Sequence, residues 1–295
     1  MPVLARFSRC FGTATTPVLH CVSTTLPAGS SSPPPPPVVF LHGLLGSSTN
    51  FRTIQLAVSK HRPTLAFDLR NHGRSPHTAG ACTLDDLAGD VAASLAAPGS
   101  PAAGQRVTVV GHSLGGKVAM RLALLHPDLL HSLCVIDIAP ARYDQASPGW
   151  RAVQGVVQAA ASLDPTAMPS RQAIDAALAA LVPDPGVRSF VAQNLTPREG
   201  GGYGWRLGWQ SILASMPHFA DWPQAPSQGQ QQLQQLQAHF IRGTRSTYIA
   251  QHHLPGIQQL FPRAQLHAVE AGHWVHAENP KGFWEVLTKV LGIPA

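Results

Sequence analysis

Apolar residues along the chain fall into two rhythms. Six short runs, Val38 to Leu41, Thr64 to Asp68, Arg106 to Val110, Leu133 to Ile136, His239 to Arg242 and Gln265 to Val269, have the length and apolar or β-branched content of buried strands. Val18 to Leu26 predicts a further strand, first in the chain. Between these runs the spacing lengthens. Leu84, Leu87, Ala88, Val91 and Leu95 recur three and four residues apart, with Thr83 and Asp86 placed as a capping box ahead of them. Lys117 to Leu125 predicts a helix stopping near Pro127, and Phe283, Leu287, Val290 and Leu291 line one face of a last one. Strands alternating with helices imply βαβ units and a mostly parallel sheet, hence the α/β class. The prolines Pro33 to Pro37 cannot enter a sheet interior, so residues 30–37 read as a loop.

Between about Ala141 and Gln237 the strand rhythm fades. Helical Ala, Gln and Leu patterns replace it, with scattered prolines and Trp150, Trp205, Trp209 and Trp222. Residues 141–237 therefore predict a helical cap inserted over the strand ends. Its tail, Gln228 to Gln237, is Gln-rich and reads as an exposed loop or loose helix. The α/β core is then residues 18–140 and 238–295, and no internal repeat is present.

Composition narrows this picture. Hydrophobic residues make up 44% and charged residues 12%, which suits a compact globular enzyme. No stretch approaches the ~20 consecutive apolar residues that span a bilayer, so no transmembrane segment is expected. The formal net charge is +6, but residues 1–67 hold Arg6, Arg9, Arg52, Lys60 and Arg62 and no acid. Against 21 basic and 15 acidic residues overall, the remainder is close to neutral. With no Lys/Arg cluster on one element, a nucleic-acid partner has no support. Residues 1–17, with Arg, Ser, Thr and no carboxylate, have the composition of an organellar transit peptide, mitochondrial in preference to chloroplast. Cys10, Cys21, Cys82 and Cys134 show no metal-ligand spacing and read as free thiols in a reducing compartment. No metal or cofactor is expected.

Candidate chemistry centres on Gly111-x-Ser113-x-Gly115. It sits between a β-branched run and an apolar helix, the strand–turn–helix context in which a serine is exposed at a sheet edge. A serine needs a base to become a nucleophile. Among 15 histidines, His273 has the right place, after the last predicted strand and before the C-terminal helix. His276 reads as a surface or loop residue, and His112 as a neighbour shaping the turn. The oxyanion of an acyl-transfer intermediate needs two N–H donors, and these are expected from Leu114 and from Leu44 in His42-Gly43-Leu44-Leu45-Gly46. The acid is found by elimination. Gly243-Thr244-Arg245-Ser246-Thr247 after the strand at 239–242 has no carboxylate, and none occurs between Asp221 and Glu270. Asp137, ending the strand after the serine's helix, is the candidate, with Asp68 in reserve although its loop looks structural.

Taken together, these residues resemble the α/β-hydrolase superfamily, and within it the group of abhydrolase domain-containing protein 11 and bacterial YbfF-type esterases. The likeness rests on His42-Gly43-Leu44-Leu45-Gly46-Ser47, Asp68-Leu69-Arg70-Asn71-His72-Gly73, Gly111-His112-Ser113-Leu114-Gly115-Gly116-Lys117, Ile136-Asp137-Ile138-Ala139-Pro140 and Gly272-His273-Trp274-Val275-His276-Ala277-Glu278. It covers about residues 18 to 295 and weakens across the cap, where Tyr203-x-Trp205-Arg206 is the main echo. The resemblance implies hydrolysis of acyl esters or thioesters, with lipid substrates in eukaryotic members, and a mitochondrial location for those members. From YbfF-type members it also implies that the acid lies in the segment matching Ile136-Asp137-Ile138, and the alteration of the family's usual Gly-Asn/Asp-Ser to Thr244-Arg245-Ser246 removes a second candidate and further favours Asp137. Two rivals stay open: a lyase or C–C bond hydrolase on the same fold, and a hydrolase-fold protein that binds a ligand with little turnover. A dehalogenase or epoxide hydrolase would need Asp at position 113 and is excluded.

Overall fold

The computed structural model describes residues 16–26, 35–224 and 230–294. Seven strands form the main sheet: β1 (Cys21–Thr24), β2 (Val38–Leu41), β3 (Thr64–Phe67), β4 (Val107–His112), β5 (Leu130–Ile136), and, after an insertion, two more. The insertion holds α4 (Pro148–Ser162), α5 (Arg171–Ala179), α6 (Pro185–Ala192), a hairpin of β6 (Leu195–Pro197) and β7 (Tyr203–Trp205), and α7 (Trp209–Ala220). After α8 (Gln230–Leu233) come β8 (Gln237–Gly243) and β9 (Ala264–Val269). The sheet order is β1-β3-β2-β4-β5-β8-β9, parallel throughout except for β1, which pairs antiparallel with β3 at one edge. The expected α/β-hydrolase fold, a mostly parallel sheet flanked by helices with an inserted helical cap, is the fold observed.

Alternation within the strands builds a core on both sheet faces. Val39 and Leu41 face α2 (Leu84–Ala96) and α3 (Leu114–Leu125), where Leu87, Val91, Val118 and Leu122 are buried. Val38 and Phe40 face the opposite layer, built from α1 (Arg52–Val58) and α11 (Pro280–Leu291) with Val58, Phe283 and Leu287. Two short helices, α9 (Leu254–Leu260) and α10 (Val275–Glu278), complete the layers. Thr83 and Asp86 form the reciprocal cap of α2 as expected. Because the strands are parallel, their carboxyl ends share one edge. Leu41 pairs with Gly111, His112 with Ile136, Ile136 with Ile241, and Gly243 with Val269. The loops after β2, β4, β5, β8 and β9 therefore meet, as ligand sites of open parallel sheets do.

The structure adds to the sequence expectations in three places. The inserted segment is not purely helical, because Leu195–Pro197 and Tyr203–Trp205 pair antiparallel around the positive-φ glycines Gly200, Gly201 and Gly202. Helix α1 carried no sequence signal. Within the Gln-rich tail, Gln230–Leu233 is helical and Gln237 already belongs to β8, while residues 228 and 229 lie outside the described residues. Most of the transit-peptide segment, residues 1–15, also lies outside them.

The insertion enters and leaves the core through one stem. The Tyr143 N–H donates to the Ala220 carbonyl at 2.8 Å. The Tyr143 hydroxyl accepts from Ala139 N–H and donates to the Tyr248 carbonyl. On the core side, the Lys117 ammonium of α3 donates to the carbonyls of Phe219, Ala220 and Asp221 at 2.8–3.1 Å, filling acceptors that a helix C-terminus leaves open. Arg121, one turn on, pairs with Asp85 and donates to the Pro223 carbonyl.

Candidate active site

Ser113 sits at φ 52° and ψ −118°, between β4 and α3. A non-glycine residue holds such a conformation only when its surroundings over-determine it. Here they do, because the Ser113 N–H donates to the Ile136 carbonyl and its own carbonyl accepts from Gly116 and Lys117. Gly115 is glycine for contact reasons, since a Cβ there would run into the backbone carbonyls of Leu41 and His42. The turn brings α3 hard against β2 and leaves the Ser113 hydroxyl at the sheet edge.

His273 follows β9. Its Nε2 lies 3.0 Å from Ser113 Oγ and its Nδ1 lies 2.8 Å from Asp137 Oδ2. Asp137 is fully buried and also held at positive φ, 51°. Its Oδ1 accepts from Gly243 N–H at 3.0 Å, and its Oδ2 from the Ser246 hydroxyl. With acceptors only on a carboxylate, Nδ1 carries the imidazole proton and Nε2 faces the serine as acceptor. Ser113, His273 and Asp137, singled out separately in the sequence, form one continuous hydrogen-bonded chain. Asp68 is committed elsewhere, accepting from Ser48 N–H at 2.6 Å and Arg74 N–H at 2.8 Å.

Several neighbours carried no sequence signal. The Tyr248 ring stacks on the His273 imidazole, 4.0 Å between centroids, and its N–H donates to Ser246 Oγ. His112, expected beside the turn, donates through Nε2 to the His273 carbonyl at 3.0 Å. His276 is corrected: it is not a surface residue but packs between Phe51 and His112, in the wall of the cavity over Ser113. Burial pulls its pKa down to about 4, with the nearby His273 adding to the effect. Burial likewise holds His112 well below the ordinary histidine range. Tyr248 meets His273, and His276 meets His112, only in the folded chain, so no local pattern could mark those contacts.

The loop after β2 positions the amides. His42 Nε2 accepts from Leu69 N–H at 2.9 Å, which leaves the proton on Nδ1 to donate to the Gly43 carbonyl at 2.7 Å. Gly46 N–H donates to that same carbonyl at 3.0 Å. In a trans peptide C=O and N–H point opposite ways, so fixing the Gly43 carbonyl turns the Leu44 N–H the other way. Leu114 is the first residue of α3, where an amide has no intrahelical acceptor. Leu44 and Leu114 both line the cavity that holds Ser113 and His273. Its volume is about 270 Å³, and its other walls are mostly apolar, including Leu45, Ile138, Val153, Val156, Val187 and Phe190. The last four come from α4 and α6, and Ile138 from the loop after β5, so the insertion supplies much of the wall. Such a site can bring an acyl carbonyl against a serine beside a mostly apolar wall.

Comparison with known proteins places the fold in a family. The family model for the α/β hydrolase fold matches residues 36–280. A mouse protein, sn-1-specific diacylglycerol lipase ABHD11, is 35% identical over 260 residues, which is 86% of this chain and 80% of that one. Esterase YbfF of Escherichia coli is 28% identical over 86% of this chain and 92% of its own. Among solved structures, a marine microorganism esterase superposes with a TM-score of 0.82 at 30% identity, covering 92% of this chain and 99% of its own.

Proposed function

Because the chain belongs to the α/β-hydrolase family, we propose that it cleaves acyl esters or thioesters through an acyl-serine intermediate. Ser113 is the nucleophile, His273 the general base and Asp137 the acid that fixes its tautomer. The single observation that carries this reading is the unbroken Ser113–His273–Asp137 chain opening onto a mostly apolar cavity.

The geometry supports the following course. His273 Nε2 takes the hydroxyl proton as Ser113 Oγ attacks the carbonyl carbon, and the negative oxygen is received by the N–H groups of Leu44 and Leu114. Collapse expels the alcohol or thiol, which leaves with the proton from the imidazolium. Water then enters, His273 takes its proton, and the carboxylic acid is released with Ser113 restored. Asp137 stays ionised beside Nδ1 throughout and balances the imidazolium.

A volume of about 270 Å³ lies near the lower end of ligand pockets. It suits the acyl portion of an ester. The name of the mouse relative makes a glyceride a substrate to test alongside p-nitrophenyl esters and acyl-CoA thioesters. Among the described residues no helix is long and apolar enough to cross a membrane. For the leader, we propose mitochondrial import, to be tested by fusing residues 1–17 to a fluorescent reporter.

Ser113→Ala should lower kcat by about 10⁴–10⁶ with the fold intact, and should abolish labelling by a fluorophosphonate probe. Full turnover in that variant would end the assignment.

A further inference from the structure

Resting on the reading of Leu44 as an oxyanion donor, we propose that Asn194 of the inserted segment is the terminal donor of a relay that orients and polarises the Leu44 amide. The oxyanion pocket is then complete only when the insertion is seated on the core.

The relay runs through three amides, each donating to the next. Asn194 Nδ2 donates to the Leu45 carbonyl at 2.9 Å. The same Leu45–Gly46 peptide uses its N–H to donate to the Gly43 carbonyl at 3.0 Å. That carbonyl belongs to the Gly43–Leu44 peptide, whose N–H is the one turned away toward the oxyanion. An amide whose carbonyl accepts a hydrogen bond becomes a stronger N–H donor, so bonds arranged in this order reinforce one another. His42 Nδ1 supports the last link from the core, and Asn194 is the link that comes from the insertion.

Both ends of the relay are held in place. Asn194 is buried, and its Nδ2 also donates to the Val191 carbonyl at the end of α6. Its backbone carbonyl accepts from Arg206 N–H just after β7, so the side chain is braced between α6 and the hairpin. At the other end, Leu45 has φ 61°, a left-handed conformation that leucine adopts against a steric penalty. Its N–H donates to His72 Nε2 at 3.2 Å, so the core holds one side of this residue and the insertion the other. Among the described residues, Asn194 is the sole donor to the Leu45 carbonyl. Asn194 touches no reacting atom, so it is a positioning residue.

The test replaces the donor without changing the outline, using Asn194→Leu, with Asn194→Asp as a second variant that offers no donor once ionised. Folding is checked by circular dichroism. The expected result is a kcat lower by about tenfold, less than the 10²–10³ lost when an oxyanion donor itself is removed, with KM changed by less than about twofold. Affinity for a trifluoromethyl ketone, which mimics the tetrahedral oxyanion, should fall by the same factor as kcat/KM, a correlation that a packing defect alone would not produce. A kcat within about twofold of the parent in either folded variant, or a loss confined to KM, overturns the relay. If Ser113→Ala is inactive in the same assays, the hydrolase reading survives that failure. If Ser113→Ala is fully active, the reading itself has failed.

Discussion

Asp137 is asked to remain charged with no access to water. A buried carboxylate is tolerable only when its lone pairs are matched by donors, and Gly243 N–H, the Ser246 hydroxyl and His273 Nδ1–H supply three. Asp137→Asn would keep the shape but present an NH₂ to groups that are themselves donors. By forcing the wrong imidazole tautomer it should lower kcat by up to ~10⁴, and a near-normal rate would show that another group carries the acid's role. Ser246→Ala removes one of three donors and leaves the histidine contact, so kcat should fall by only about three- to tenfold, the worth of one charge-assisted hydrogen bond shared with its replacement by water. Steady-state kinetics of the two variants separates these outcomes. Asp137 could be found in the sequence because the loop after β8 has no carboxylate to compete with it. Ser246 could not, because a serine in a polar loop looks like any other until Asp137 is folded against it.

At the scale of elements, α3 does two jobs. Its first residue borders the cavity, and its next two turns fasten the end of α7 through Lys117 and Arg121. Lys117→Met would fill a similar space but take the ammonium from three carbonyls, of which only that of Ala220 keeps a second donor, the Tyr143 N–H. It should cost about 1–3 kcal/mol, read as a lower urea midpoint. An unchanged midpoint would mean that water replaces the ammonium. The strand–turn–helix around Ser113 was legible because everything that makes it is local: a β-branched run, small residues where backbones touch, and an apolar helical repeat. The β6–β7 hairpin was not legible, because its strands are three residues each and one contains Pro197. Helix α1 escaped for a related reason. Seven residues with only Gln55 and Val58 buried leave too short a stripe to show a period.

Over the whole molecule, the core is sensitive to protons because it contains imidazoles held neutral. His42, His72, His112 and His276 all have pKa values lowered by burial, His72 to about 3 and His276 to about 4. In the unfolded chain each would titrate near its ordinary value of about 6.5. Below that pH the unfolded state binds more protons than the folded one. The contribution of these histidines to stability is therefore full above about pH 6.5 and falls as the pH drops toward 4, by up to ~1.4 kcal/mol per pH unit for each. Calorimetry between pH 7.5 and 5 should show a steadily falling Tm, and a flat profile would mean that these rings accept protons in place. Nothing in a single sequence separates these four from the chain's other histidines. The mostly parallel sheet was legible, and with it the reason Ser113, His273 and Asp137 come near one another, because parallel strands bring their carboxyl ends together whatever the intervening loops contain; the strand order and the antiparallel β1 were not. The stem of the insertion has a practical consequence. Both posts, at Tyr143 and at Ala220, are tied to each other and to the core, so the two ends of the insertion are held together whatever lies between them. Residues between the posts could be swapped for the lid of another hydrolase to change which esters enter, provided the transplant brings its own amide to meet the Leu45 carbonyl.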